Sequence, residues 1–173
     1  IKELQLDDKI YKANEVHGRI SMAKNNLVTA ESYSRNSILI QNDSAARKPR
    51  LWEIYREYAK KCRQAGAMDF DDILLYTNIL FRDFPDALER IRSRFQFIMV
   101  DEYQDVSRVQ DAIFSAVSEG GKRLFLVGDV KQSIYRFRLA EPGLFLSKLN
   151  RFSADERAEC RKIVLNRNFR SKS

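Results

Sequence analysis

Cysteine and histidine are scarce in this 173-residue sequence, which holds two cysteines, Cys62 and Cys160, and one histidine, His17. The cysteines lie far apart and belong to no CxxC pair, so a zinc site of Cys/His type has too few ligands and both thiols are expected to be reduced packing residues. Long apolar runs are missing too. No stretch approaches the roughly 20 residues of a membrane helix, and no signal-type apolar segment precedes the first charges; a cytoplasmic protein with no membrane partner is expected. A GxxxxGK(S/T) loop is also absent: Arg170-Ser171-Lys172-Ser173 lacks the glycines that let backbone amides surround a phosphate. The sequence starts on Ile1 and stops just after a patterned segment, which reads as a piece of a longer chain.

What is present suffices for one sizeable core and a second, smaller one: 44% of residues are hydrophobic and 11% aromatic. The formal net charge of +7 is unevenly spread. Residues 120–173 carry 13 Lys/Arg against 5 Asp/Glu, so the whole basic surplus sits in the last third. Such a segment suits a polyanionic partner such as nucleic acid or nucleotide phosphate, with a merely solvated basic face as the plain alternative.

Apolar residues at Leu6, Ile10, Ala13, Val16, Ile20, Ala23 and Leu27 recur at three- and four-residue spacings and predict one or two amphipathic helices. Residues 29–49, rich in Ser and Asn, read as a loop interrupted by Ile38-Leu39-Ile40. Helical spacing resumes at Leu51 and stops at Gly66. Asp69 ahead of Phe70-Asp71-Asp72-Ile73 predicts a helix start favoured by acidic residues, running to about Phe81, and Pro85 opens a short helix ending near Arg94. The period then changes. Phe97 to Val100, Leu124 to Val127 and Ile163 to Leu165 are continuous apolar runs, with helical spacing from Val106 to Val117, as in a parallel sheet covered on both faces. The expectation is an α/β chain, with helices over 1–94 leading into a sheet-containing part over 95–173.

Asp101 and Glu102 directly follow a buried-strand pattern, which places them where open α/β sheets bind ligands. In nucleotide hydrolases such a pair serves Mg²⁺ and the attacking water; a pair that only caps the next helix is the plain structural alternative. The next apolar run ends in Gly128-Asp129-Val130-Lys131-Gln132, which sets a turn and an amide on the same sheet edge. Ile134-Tyr135-Arg136-Phe137-Arg138 then alternates aromatics, a type that stacks on bases, with arginines, a type that neutralises phosphates; a surface strand with period-two alternation is the plain alternative.

Together, Ile98 to Asp105, Val127 to Arg138 and Leu165 to Ser171 resemble motifs II, III and IV of UvrD/Rep-type superfamily 1 helicases. Ala67 to Leu74 and Ile20 to Asn25 are similar to two further segments of these enzymes. The resemblance implies an ATP-dependent DNA helicase of repair or recombination moving 3′ to 5′ on single-stranded DNA, with ATP and Mg²⁺ as cofactors. These residues would hold the helical insertion and the later half of a RecA-like domain, with the other helicase domains elsewhere in the parent chain. It further implies that Asp101 holds Mg²⁺ through water and that Glu102, also at the metal, activates the hydrolytic water. Gln104 would lie between nucleotide and moving parts, Gln132 would sense the γ-phosphate, and Arg170 would reach it as an arginine finger. Tyr135 and Phe137 would stack on bases, with Arg138 joining that track to the ATP site.

After motif III the chain reads Arg138-Leu139-Ala140-Glu141-Pro142, where many UvrD/Rep members have glycine after the arginine; this looks more like the AddA/RecB helicase-nuclease branch, while the short insertion looks nearer to UvrD. A non-catalytic DNA-binding module is the reading from another class, and loss of Glu102 or Gln132 would mark it. Without a phosphate loop, the segment alone is expected to hydrolyse no ATP.

Overall fold

The computed structural model describes residues 1–132, 139–155 and 157–165. Six helices come first: α1 (Ala13–Asn25), α2 (Ala30–Ser34), α3 (Ser37–Ala45), α4 (Leu51–Gln64), α5 (Phe70–Asp83) and α6 (Pro85–Arg92). Strand β1 (Ile98–Val100), α7 (Arg108–Val117), β2 (Leu124–Leu126) and α8 (Pro142–Arg151) follow.

The helical core gathers Tyr11, Val16, Ile20 and Ala23 against Tyr33, Leu51, Ile54 and Tyr55, so α1, α2 and α4 share one interior. The four α1 and pre-α1 positions are those of the expected stripe or lie beside it, but α1 is shorter than the stripe, since Leu6 and Ile10 precede it. The capping signals hold at α5, where Asp69 Oδ1 accepts the Asp72 N–H at 2.7 Å and Asp72 Oδ2 accepts the Asp69 N–H at 3.3 Å. Gly66, after α4, has φ +61°, the left-handed conformation that ends helices.

The 29–49 segment is not a loop: it forms α2 and α3. Its polar residues act as caps. Thr29 Oγ1 accepts the Ser32 N–H at 3.1 Å, and Asn36 Oδ1 accepts the Ile38 and Leu39 N–H groups, each at 3.1 Å. Tyr33 Oη donates to buried Asp43 Oδ2 at 2.7 Å, and Arg19 Nη1 reaches Asp43 Oδ1 at 3.2 Å, which anchors both short helices to the core.

β1 and β2 pair in parallel, Ile98 with Leu124 and Val100 with Leu126, and α7 lies between them in the chain. The expected cover on both faces is not seen: Ile98, Val100, Leu124 and Leu126 are half-buried, whereas their alternates Met99 and Phe125 are 78% and 53% exposed. Strand alternation therefore buries one face only. The third apolar run forms no strand either. Ile163, Val164 and Leu165 are exposed and unassigned, and the nearest pairing is an isolated parallel bridge of Ser153 with Arg161. An apolar run needs a ladder partner to become a strand, and among the described residues these three have none.

Candidate functional site

Val100 ends β1, and the chain turns at once. Asp101 Oδ1 accepts the Glu102 N–H at 2.9 Å, while Glu102 takes φ +51°, ψ +39°, a left-handed conformation uncommon outside glycine. Both carboxylates are exposed, and neither forms an ion pair among the described residues. Tyr103 to Asp105 then make one 3-10 turn that sends the next two side chains inward.

Gln104 is 4% exposed. Its Oε1 accepts the Asp129 N–H at 3.0 Å, and the main chain joins the same two segments: Val127 N–H donates to Val100 O at 2.8 Å, and Tyr103 N–H to Val127 O at 2.9 Å. Asp129 in turn organises its own loop, with Oδ1 accepting the Lys131 N–H at 3.0 Å and Oδ2 accepting from Gln132 Nε2 at 3.0 Å. The structure thus links Gln104 through Asp129 to Gln132, at the same sheet edge as Asp101 and Glu102. Gly128 sits close to its neighbours: a Cβ there would stand 2.8 Å from Gln104 Oε1 and 3.2 Å from Phe145 Cζ, so one of those side chains would have to move.

Tyr103 locks this edge from below. It is fully buried, its hydroxyl donates to Asp111, and its ring meets Phe145 edge-on at 5.9 Å. Lys148 Nζ completes the group, 3.1 Å from Asp111 Oδ1 and 5.5 Å from the Tyr103 ring centroid. Burial, with the Asp111 hydrogen bond behind it, pushes the Tyr103 phenol well above its ordinary range. Sequence spacing did not single out Asp111 or Lys148, because the carboxylate lies on α7 and the ammonium on α8.

The two outlying similar segments also meet. Lys24, on α1 and 1% exposed, places Nζ 2.6 Å from Asp69 Oδ2 and 2.8 Å from Asp72 Oδ1. Tyr58 Oη donates to Asp69 Oδ2 at 2.7 Å, and its ring lies 4.9 Å from Lys24 Nζ. Beside them, Ser21 Oγ and Asn25 Nδ2 donate to Asp71 at 2.5 and 2.8 Å. Ser21, Lys24 and Asn25 thus clasp the first turn of α5.

Tyr135, Phe137, Arg138 and Arg170 lie outside the described residues. Among the described residues no three His, Cys, Asp or Glu side chains form a metal cluster, and no helix is long and apolar enough to cross a membrane.

Residues 1–153 match the family described as UvrD/REP helicase N-terminal domain. The chain is also 44% identical over 116 residues to an ATP-dependent helicase/nuclease subunit of Streptococcus pneumoniae, covering 67% of this chain and 9% of that protein. It is 44% identical over 124 residues to the ATP-dependent helicase/nuclease protein of the same name from Ligilactobacillus salivarius (69% of this chain, 10% of that protein) and 45% identical over 121 residues to the one from Natranaerobius thermophilus (66% and 9%). The chain spans about a tenth of the length of these curated relatives. With a family match over 153 of its 173 residues, an acid pair at the end of β1 and the Gly128–Gln132 turn beside it, the chain belongs to the UvrD/REP helicase N-terminal domain family.

Proposed function

We propose that these residues work within a longer ATP-dependent DNA helicase of the helicase-nuclease kind, which hydrolyses ATP to move 3′ to 5′ along single-stranded DNA in repair or recombination. Residues 1–94 are its helical insertion with connecting helices, and 95–173 the later half of a RecA-like domain. The helicase-nuclease assignment is supported by the names of the relatives and by Leu139 after Arg138. The observation that carries the helicase reading is the hydrogen-bonded line from Gln104 through Asp129 to Gln132 beside two exposed carboxylates that form no ion pair among the described residues.

The donor set suits Mg²⁺, which takes one or two carboxylates, keeps several waters and completes its shell with phosphate oxygens. Asp101 would hold the metal, and Glu102 beside it would accept a proton from the attacking water. A metal held there would supply positive charge against the charge developing on the phosphates. Gln132 reads the γ-phosphate, Arg170 approaches it from across a cleft, and Gln104 carries the change toward the DNA side. Tyr135 and Phe137 stack on bases, and Arg138 links them to the nucleotide. The strained backbone at Glu102 accords with such a role, since unusual conformations cluster at working sites.

The test is Glu102→Gln in the full-length protein carrying this segment. Single-strand-stimulated ATP turnover should fall by about 10²- to 10⁴-fold, the usual contribution of a general base, with single-strand affinity kept. Unchanged turnover would overturn the assignment.

A further inference from the structure

Helix α8 is tied at several points to the turn that carries Asp101 and Glu102. Phe145 meets the Tyr103 ring edge-on at 5.9 Å, and its Cζ lies 3.2 Å from where a Gly128 Cβ would stand, so one side chain of α8 reaches the turns after β1 and β2 alike. Lys148, three residues on, places Nζ 3.1 Å from Asp111 Oδ1, the same oxygen that accepts the Tyr103 hydroxyl. At the start of α8, Glu141 N–H donates to Val106 O at 3.1 Å, and the Glu141 carboxylate meets Arg108 Nε at 3.1 Å.

Two strained residues flank these ties. Glu102 takes φ +51° and Leu139 φ +59°, in the left-handed region that residues other than glycine uncommonly occupy. Glu102 immediately precedes Tyr103, while Leu139 immediately follows Arg138, the last residue of the aromatic-arginine run, and stands two residues before Glu141. Such conformations persist where surrounding contacts over-determine them. The Tyr103–Asp111–Lys148 line does this behind Glu102, and the Glu141 bonds do it behind Leu139. Helices α7 and α8 thus hold, as one unit, the carboxylate turn and the exit of the aromatic-arginine run.

The charges make Lys148 the decisive member of that unit. The Asp111 side chain on α7 is 19% exposed and needs a countercharge, which the ammonium on α8, 16% exposed, supplies. A displacement of α8 reaches the Tyr103 hydroxyl through a single shared oxygen, one residue away from Glu102 in the chain.

With the helicase reading as its premise, we propose that Lys148 and Asp111 are positioning residues that relay occupancy of the single-strand track to Glu102. They act through Tyr103 and not on the nucleotide. Strand binding settles α8, α8 settles Asp111, and Tyr103 then fixes the Glu102 turn in the conformation that turns over ATP.

The test compares ATP turnover of the full-length protein with saturating oligo-dT and without it, in the wild type, Lys148→Met and Asp111→Asn. The stimulation ratio should fall about 2- to 30-fold in both variants, the range over which residues between two sites alter their coupling. Affinity for labelled oligo-dT, read by fluorescence anisotropy, should stay at the wild-type value. A merely structural brace would lower both turnover values alike and leave the ratio as it was. Asp111→Asn keeps an acceptor for the Tyr103 hydroxyl and strands no carboxylate, so it reads the tie even where Lys148→Met fails to fold. An unchanged ratio in Asp111→Asn or in folded Lys148→Met, or a fall matched by an equal loss of oligo-dT affinity, overturns the relay and leaves the helicase reading intact. Wild-type turnover that oligo-dT does not stimulate overturns both.

Discussion

Gln104 Oε1 accepts the Asp129 N–H at 3.0 Å, so a side chain from the turn after β1 holds the backbone of the turn after β2. A Cβ on Gly128 would stand 2.8 Å from that oxygen, so the Gln104 side chain would have to shift away from its Asp129 contact. Gly128→Ala should therefore cost about 1–3 kcal/mol, the usual range for overpacking, and should lower ATP turnover of the full-length protein more than its single-strand affinity. Urea unfolding and a turnover assay read the two effects; wild-type values in both would show that the turns are not packed this way.

Lys24→Met should destabilise the protein by about 3–5 kcal/mol, because removing one partner of a buried ion pair strands the others. Asp69 and Asp72 would be left facing each other with side chains 23% and 5% exposed. Replacing both carboxylates with Asn in the Lys24→Met background should recover part of the loss. A shift in urea midpoint within error of zero for the single variant would contradict the clasp.

Acid should weaken the same clasp. Burial raises the Asp69 carboxyl, but hydrogen bonds from Lys24, Tyr58 and the Asp72 N–H outweigh it and hold the group below its ordinary value of 3.8. A depressed native value means that ionised Asp69 stabilises the fold above the ordinary value, and that this contribution disappears as pH falls through the native one. Urea midpoints should change little through Asp69 down to about pH 4 and drop below it. In Asp69→Asn that drop should be smaller. The same drop in both proteins would assign the acid sensitivity elsewhere.

Tyr103→Phe should cost about 1 kcal/mol, the typical net value of one hydrogen bond. Asp111 keeps Lys148 at 3.1 Å, so its charge is not stranded. Double-mutant cycles with Lys148→Met would measure the coupling, and strict additivity would argue against a shared network.

The 173-residue chain by itself should show no ATP turnover, with or without single-stranded DNA. Two carboxylates cannot replace the amide-lined phosphate loop that this sequence lacks. Turnover that vanished on Glu102→Gln would refute this.

Those features set by neighbours in the chain were legible in the sequence. The Asp69 helix start, the stop at Gly66 and the β1 and β2 runs need only local spacing, and each appears close to where it was expected. The 29–49 segment misled because Ser, Thr and Asn serve equally in loops and as helix caps, and only burial of Tyr33 and Asp43 separates the two. Ile163 to Leu165 misled because a strand is decided by its partner. At the site, Asp101 and Glu102 were visible as residues at a strand end, and Gln132 as an amide in the turn after the next apolar run. The clasp was visible only as two unconnected segments, since nothing local pairs Lys24 with Asp69 across 45 positions.

That separation also bears on the order of folding. The Lys24 contact closes a long stretch of chain, and closure costs entropy before the ion pair can repay it. Helices α2, α3 and α4 fill the interval, and their packing on α1 brings the ends together cheaply. The clasp should therefore form late, so Lys24→Met should speed unfolding more than it slows folding.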